Sequence, residues 1–541
     1  MIFGRSDNFA ETADSSPAAW KISRTAWLVI LLGFALRLYL FFRIPIINQD
    51  GFLYIQQAKA LYYGLFDAVI DCYEYLPNYP FLIAAAYKIF GDWVTAARTV
   101  SLIFGTLTLI PLYLIYRRFF PAALSTVTLL AFALIPSFIL VSSDVMRGPM
   151  YWFFSASGMF LFLFHMDEQS GGRAPASSFR IFALMTLSCL FFLMGTWARI
   201  ECGMFIIISA VYLLFSGQKR KYFSLFSFLL PVLIIILGGF IFACVSRADI
   251  LELLKPERIF SRAAEFFSKY SEIRKNLALL AEQELPGFTP FFFPKVRNLI
   301  WLIALGTLAV QIVETLFYIF FLILIIGIAN TFRRIPAEPK LMYISLLSVS
   351  ALLVLYAQII YNWAMTSRFT FLFLLPAFVF SGFGIERISE YIQKKTDWKQ
   401  PFTYILICVL MISAASAKTL RASYVKDKEV YEEIGTCIAE REKNSRSVDV
   451  AGAFDDIKKI HFYANLNYEG APCFDEFCEM DKRNTAGLRK MRHFGCHYFV
   501  WDEKGWKSAM PEKLKDKTKF IYIREWQTSR HGKMILYEVR Q

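Results

Sequence analysis

Several ionised side chains stand where an apolar chain tolerates them least. Arg37, Asp50, Asp144, Arg147, Arg199, Glu201, Glu314 and Arg368 lie within or beside stretches apolar enough to enter a bilayer, and a charge there is a functional candidate by default. All but Arg37 and Glu314 fall at or near one predicted face. The set joins carboxylates from separate loops to several arginines. Arginine forks grip phosphate oxygens in pairs, and a carboxylate can take the proton from a hydroxyl. The chemistry that fits is group transfer from a donor carrying phosphate. Phosphate already leaves well, so the reaction needs a base for the acceptor and cations for the departing group. Asp50 is the expected base, against the alternative of a helix N-cap for residues 52–64. Asp144 is the expected second carboxylate, orienting the acceptor or sharing a cation, against an ordinary loop aspartate before Pro149. Arg199 and Arg368 are the preferred phosphate ligands, with Arg147 and Lys295 behind them; each is otherwise an interfacial anchor. Glu201 is placed to pair with Arg199. Glu314 has no assigned chemistry beyond marking a break or a lipid-groove contact.

The elements that must hold these residues are membrane helices. Of 541 residues 56% are hydrophobic, 55 are phenylalanine and 19% are charged; an ordinary soluble chain carries about 25% charged residues. The net charge of +14 sits at the ends of apolar runs, which reads as topology and excludes a nucleic-acid face. Asp7, Glu11 and Asp14 precede the first apolar run, so that run reads as an uncleaved span. Spans are expected near 25–43, 93–116, 122–141, 149–165, 180–197, 200–216, 222–245, 313–331, 341–361, 369–386 and 402–418, about eleven in all. Lys21 with Arg24, Arg117-Arg118, Arg173 with Arg180, Lys219-Arg220-Lys221, Arg333-Arg334 with Lys340, and Lys394-Lys395 with Lys399 fall at every second gap. The positive-inside rule makes those gaps, and the tail 1–24, cytoplasmic. The other gaps, with everything after 418, are then external.

Two external loops are long. Residues 44–92 hold an amphipathic stretch with Tyr54, Ala58, Leu61 and Leu65 at helical spacing, then a second apolar helix ending at Gly91, too short to span and suited to the interface. Residues 246–312 pass through a Pro-Phe-rich cluster beside Lys295 and Arg297, suited to the headgroup level. Beyond 418 the pattern changes to a small α/β domain, 419–541: helix at 430–442, strand at 447–453, helix at 455–464, then strands at 496–501, 519–525 and 534–539. Cys473 with Cys478, and Cys437 with Cys496, are close enough in pattern for disulfides in an oxidising periplasm; free, small apolar side chains are the other reading. Asp50, Asp144 and Glu201 offer hard oxygen ligands for a divalent cation, although no spacing argues for one. Five scattered histidines make a zinc site improbable.

Arg37 in the first span, followed by Asn48-Gln49-Asp50-Gly51-Phe52-Leu53-Tyr54, resembles the integral-membrane C-fold (GT-C) glycosyltransferases. Within these it is most similar to the protein mannosyltransferase and lipid A aminoarabinose transferase group. Those enzymes place an acid just after span one, then Tyr and an Ala-containing helix. Ala58, Gly64, Tyr79-Pro80-Phe81-Leu82, Phe90-Gly91, Ala97-Arg98, Gly105-Thr106-Leu107, Arg199-Ile200-Glu201 and Ser367-Arg368-Phe369 with Pro376 continue the pattern over roughly 25–420. The resemblance implies an α-helical polytopic enzyme that takes a sugar from a polyprenyl-phosphate donor at the external face, inverting. It marks Tyr54, Tyr79 and Glu201 as substrate contacts. Two departures matter. Many members carry two adjacent acids where this chain has Asp50-Gly51. The oligosaccharyltransferase signature Trp-Trp-Asp-Tyr-Gly is missing, Val500-Trp501-Asp502-Glu503 being a poor echo, so transfer of a preassembled oligosaccharide to asparagine is not expected.

The expected partners are that donor, a lipid, glycan or protein acceptor and membrane lipids, with no nucleic acid. The expected setting is a bacterial inner membrane, with the N-terminus cytoplasmic and the C-terminal domain periplasmic. A transporter is a rival, but no inverted repeat or pair of broken mid-membrane helices is visible. A polymerase or ligase of surface polysaccharide shares donor and side, but uses an already long chain as donor. A catalytically dead scaffold has only Asp50-Gly51 in its favour.

Overall fold

Long apolar runs with no water to satisfy their backbone must become helices, and most of this chain does. The computed structural model describes residues 21–66, 76–170, 177–218, 220–246, 256–282, 289–363, 365–421, 429–452, 454, 456–470, 496–504 and 517–540. Its contacts divide into two compact units. One comprises Met1–Leu36, Phe104–Val141 and Gly148–Thr419; the other comprises Arg37–Ile103, Ser142–Arg147 and Leu420–Gln541.

The first unit is helical. Among the described residues of the whole chain, seven helices are long and apolar enough to cross a membrane, or up to nine if each of two bent pairs is one span. The bends are 61° between Ala122–Ala133 and Pro136–Ser143, and 66° between Ser367–Ala377 and Val379–Thr396. Pro136 and Pro376 stand next to those breaks, where each ring removes a backbone donor. Small residues let helices cross closely: a Cβ on Gly327 would overlap the Phe380 carbonyl, and one on Gly384 the Ile323 carbonyl, the contact that membrane helices favour in the absence of a hydrophobic drive.

Among the described residues this measure finds fewer helices than the expected eleven or so, for three reasons. Gly148–Ser170 has length enough at 23 residues, but Ser155, Ser157, His165, Asp167 and Glu168 dilute its apolar character. Ile200–Phe215 is apolar but short. The run expected as one span at 313–331 is broken at Phe317, whose φ of 67° takes the backbone into the left-handed region and ends one helix. The chain before the break is Thr289–Leu316, a 28-residue helix whose Phe292–Leu316 part is itself long and apolar enough to span. That helix occupies what reads from sequence as the end of the loop 246–312. Glu314 lies three residues before the break, and its carbonyl accepts from Lys418 Nζ at 3.0 Å.

Three of the basic connections meet. Arg118 bonds Asp167 at 3.3 Å, Lys340 bonds the same carboxylate at 2.8 Å, and Arg180 reaches Glu168 at 2.5 Å. These connections share one end of the helices of this unit.

In the second unit the C-terminal domain has a four-stranded sheet, β1 Val450–Gly452, β2 Tyr498–Asp502, β3 Phe520–Thr528 and β4 Gly532–Val539, in the order β1-β2-β4-β3. β1 runs parallel to β2, and the other pairs are antiparallel. Helices Glu429–Glu442 and Ile457–Ala464 pack on each other, and a Cβ on Gly435 would stand 2.5 Å from that of Tyr463. Phe499, Trp501, Ile535 and Tyr537 form one core cluster of the sheet. Cys437 and Cys496 are both free thiols, so that candidate disulfide is not formed: Cys496 is buried at the entrance to β2 and Cys437 half-buried on its helix. Cys473 and Cys478 lie outside the described residues.

Candidate active site

The first helix ends at Arg43, and the chain turns into the helix Gln49–Tyr62. Asn48 caps that helix: its side chain accepts the Asp50 N–H at 3.1 Å. The N-cap position of that helix is thus held by Asn48 and not by Asp50. It sits in the first helical turn, where the helix dipole favours a negative charge. The Asn48 N–H points across to Asp144 Oδ1 at 3.3 Å, and the same oxygen accepts the Val145 N–H at 2.7 Å.

Gly51 allows this approach. A Cβ there would stand 2.8 Å from that of Val145 and 3.3 Å from the Val145 carbonyl, closer than real side chains come. A side chain at position 51 would thus meet the turn that carries Asp144. Burial pushes the Asp144 carboxyl above its ordinary range; Arg98 and the Val145 and Asn48 N–H groups oppose this, and the charge of Asp50 adds to it. The two expected carboxylates therefore share one electrostatic site.

The turn is braced from behind. Tyr79, fully buried, donates to the Ala97 carbonyl at 2.9 Å and shares a 2.7 Å bond with the Ser101 hydroxyl. Ser101 in turn bonds Met146 N–H and C=O at 3.2 and 3.0 Å. Tyr79 thus supports the turn from the interior. Tyr54, also buried, meets Tyr79 edge to face at 5.4 Å, and the Arg147 guanidinium lies 5.7 Å from the Tyr54 ring centre.

Arg98 is the residue that sequence reasoning did not single out. It is 7% exposed, donates to the Phe41 carbonyl at 3.3 Å, and acts electrostatically on Asp144 and on Glu432 of the C-terminal domain. Its Nε and one terminal nitrogen are buried with no hydrogen-bond partner among the described residues. The only sequence signal was the Ala97-Arg98 pair five residues into an apolar run.

Of the remaining candidates, Arg37 belongs to the second unit and the others to the first. Arg199 and Glu201 form a two-pronged pair, both bonds 3.2 Å. The Arg199 guanidinium lies 3.9 Å from the Phe369 ring centre and 5.6 Å from that of Tyr151. Tyr151 donates to the Arg368 carbonyl at 3.1 Å, and Arg368 packs over Phe369 at 5.2 Å. Arg199, Glu201 and Arg368 are thereby brought together. Lys295 is exposed on the Thr289–Leu316 helix. Nearby Arg297, with Arg274 and Lys275, lines a cavity of about 410 Å³; Arg274 and Lys275 carried no sequence signal. Among the described residues no group of three or more His, Cys, Asp or Glu side chains could hold a metal ion.

Solved structures share this architecture. The chain superposes on ArnT from Cupriavidus metallidurans bound to undecaprenyl phosphate with a TM-score of 0.51, at 11% identity, over 95% of this chain and 98% of that one. The apo form of the same protein gives 0.51 at 12% identity, with the same coverage. The fold is GT-C. An oligosaccharyltransferase from Archaeoglobus fulgidus with a tethered acceptor peptide gives 0.50 at 13% identity, over 95% of this chain and 74% of that one. No protein-family model and no curated protein matches the sequence. At these identities the likeness concerns the GT-C fold alone, the one that the residues around Asp50 resemble.

Proposed function

We propose that this chain is a membrane glycosyltransferase that moves a sugar from a polyprenyl-phosphate donor onto an acceptor hydroxyl at the external face. The observation that carries the reading is the Asp50–Asp144 site: two carboxylates from separate segments, set within electrostatic reach at the end of the first apolar helix. ArnT, of the same fold, has been solved with undecaprenyl phosphate, which supports a lipid-phosphate donor here.

The reaction is a displacement at the anomeric carbon. The acceptor oxygen forms the new glycosidic bond while the bond to the phosphate oxygen breaks, and the configuration inverts. Asp50 takes the acceptor proton, and Asp144 orients the hydroxyl. The phosphate leaves on its polyprenol with both electrons of the broken bond, and cations stabilise the charge that develops. Arg98 is a cation of the carboxylate unit; Arg147 and Lys295 are candidates for the donor phosphate. Arg199 and Arg368 remain in that role only where the donor competes with Glu201. Tyr54 is a substrate contact in this reading. The external face is periplasmic and the membrane is a bacterial inner membrane.

The test is transfer in membranes expressing the full chain, from polyprenyl phosphates bearing radiolabelled hexose or pentose. Label passing to lipid, glycan or protein identifies the acceptor class. Label remaining on every donor, with the protein folded, overturns the reading.

A further inference from the structure

The helix that carries Asp50 also buries a lysine. Lys59, two and a half turns on, is wholly inaccessible and donates to the Asn465 carbonyl at 2.9 Å. Asn465 closes the C-terminal end of helix Ile457–Ala464, where a helix dipole attracts a cation. Its side chain bonds both Val448 N–H and C=O, at 2.8 and 2.9 Å, and the His461 carbonyl at 2.9 Å. The carbonyl facing Lys59 is therefore held in place. Burial alone lowers the Lys59 amine to about 7. An apolar side chain here would avoid that cost.

The same C-terminal helix grips the other end of the Asp50 helix. Phe462 stacks on Phe52 with ring centres 4.2 Å apart and planes 20° apart. The Tyr463 hydroxyl accepts the Ile47 N–H at 3.5 Å. Ile47 precedes Asn48, which both caps Asp50 and bonds Asp144. Burial and the charge of Glu432 push the Tyr463 hydroxyl up, Arg98 opposes and Asp144 adds, so the hydroxyl lies in the field of the carboxylate site. Helix Glu429–Glu442 approaches Tyr463 closely at Gly435.

We propose that Lys59 and Tyr463 are positioning residues through which helix Ile457–Ala464 sets the place of Asp50 against Asp144. The C-terminal domain is then a working part of the catalytic unit. This rests on the reading of Asp50 as the base.

The test uses the purified full chain in nanodiscs with Lys59→Met and Tyr463→Phe. Removing a buried cation leaves Tm unchanged or higher. In Lys59→Met, kcat falls about tenfold with donor KM within about twofold, the signature of misplaced chemistry; Tyr463→Phe loses less. Amide hydrogen exchange over residues 47–52 speeds up in both variants while the sheet exchanges as in wild type. Unchanged exchange at 47–52 overturns the proposal, as does wild-type kcat in Lys59→Met. A fall in Tm with kcat and KM failing together also overturns it, marking a merely structural contact. A wild type that transfers nothing refutes the glycosyltransferase reading, and the exchange data still decide the positioning.

Discussion

The molecule holds two charged clusters, and they are built in opposite ways. Around Arg199 the ion pair closes on itself: Glu201 takes the guanidinium with two bonds, and Phe369 covers it. Around Arg98 the charges are left unbalanced. Two acids, Asp144 and Glu432, lie in the field of one buried guanidinium, whose other nitrogens have no hydrogen-bond partner among the described residues. A closed pair suits a clasp between helix ends. An unbalanced set keeps capacity for a substrate, and perturbed carboxylates are where acid–base chemistry is found. In the function proposed above, the carboxylate unit carries the catalysis and the Arg199 cluster supports it.

The largest effect that would break this contrast is at Arg98. In Arg98→Met, stability falls by about 1 kcal/mol because Asp144 and Glu432 lose a cation that acts on them at a distance, and transfer per folded molecule falls about a hundredfold. Thermal unfolding and specific activity measured on the same preparation separate the two. Next is Gly51→Asp, which introduces the adjacent acids that many GT-C enzymes carry. The new side chain meets Val145, so a loss of about 1–3 kcal/mol is expected, with lower activity and no gain from the second acid. Glu201→Gln sharpens the comparison from the other side. It costs about 2 kcal/mol of stability, since Arg199 is 5% exposed and keeps its charge, while specific activity of the folded fraction stays within about threefold of wild type.

The last effect is a pH dependence of stability alone. Unfolded, Lys59 holds its proton to about 10.5; folded, it releases it near 7. The unfolded state binds more protons between these values, so stability rises with pH across that window, by at most about 1.4 kcal/mol per unit. Lys59→Met removes this contribution, which unfolding measured at pH 7 and pH 9 detects.

Much of this was legible because charge in an apolar chain is conspicuous. Asp50 and Asp144 stood out at the ends of apolar runs, and Glu201 two residues from Arg199 reads as a pair. The helices and strands of the C-terminal domain followed from periodicity, with boundaries shifted by a few residues. The break inside the run 313–331 did not follow, because hydropathy says nothing of backbone direction: Phe317 at positive φ divides that run and leaves a separate long helix before it. Arg98 and Lys59 stayed hidden for a related reason. One lysine or arginine in a helix reads as a solvated or anchoring group, and only the fold shows it enclosed. The reason for Gly51 was equally out of reach, since its neighbour Val145 is 94 residues away.

The central claim is that Asp50 does chemistry and does not merely hold substrate. The direct measurement is single-turnover transfer by Asp50→Asn, alongside the affinity of the same protein for a polyprenyl-phosphate sugar. The account predicts donor affinity near that of wild type and a transfer rate lower by roughly 10²–10⁴, the range for a lost general base. A transfer rate equal to wild type would contradict it and move the base elsewhere, with Asp144 the first residue to test.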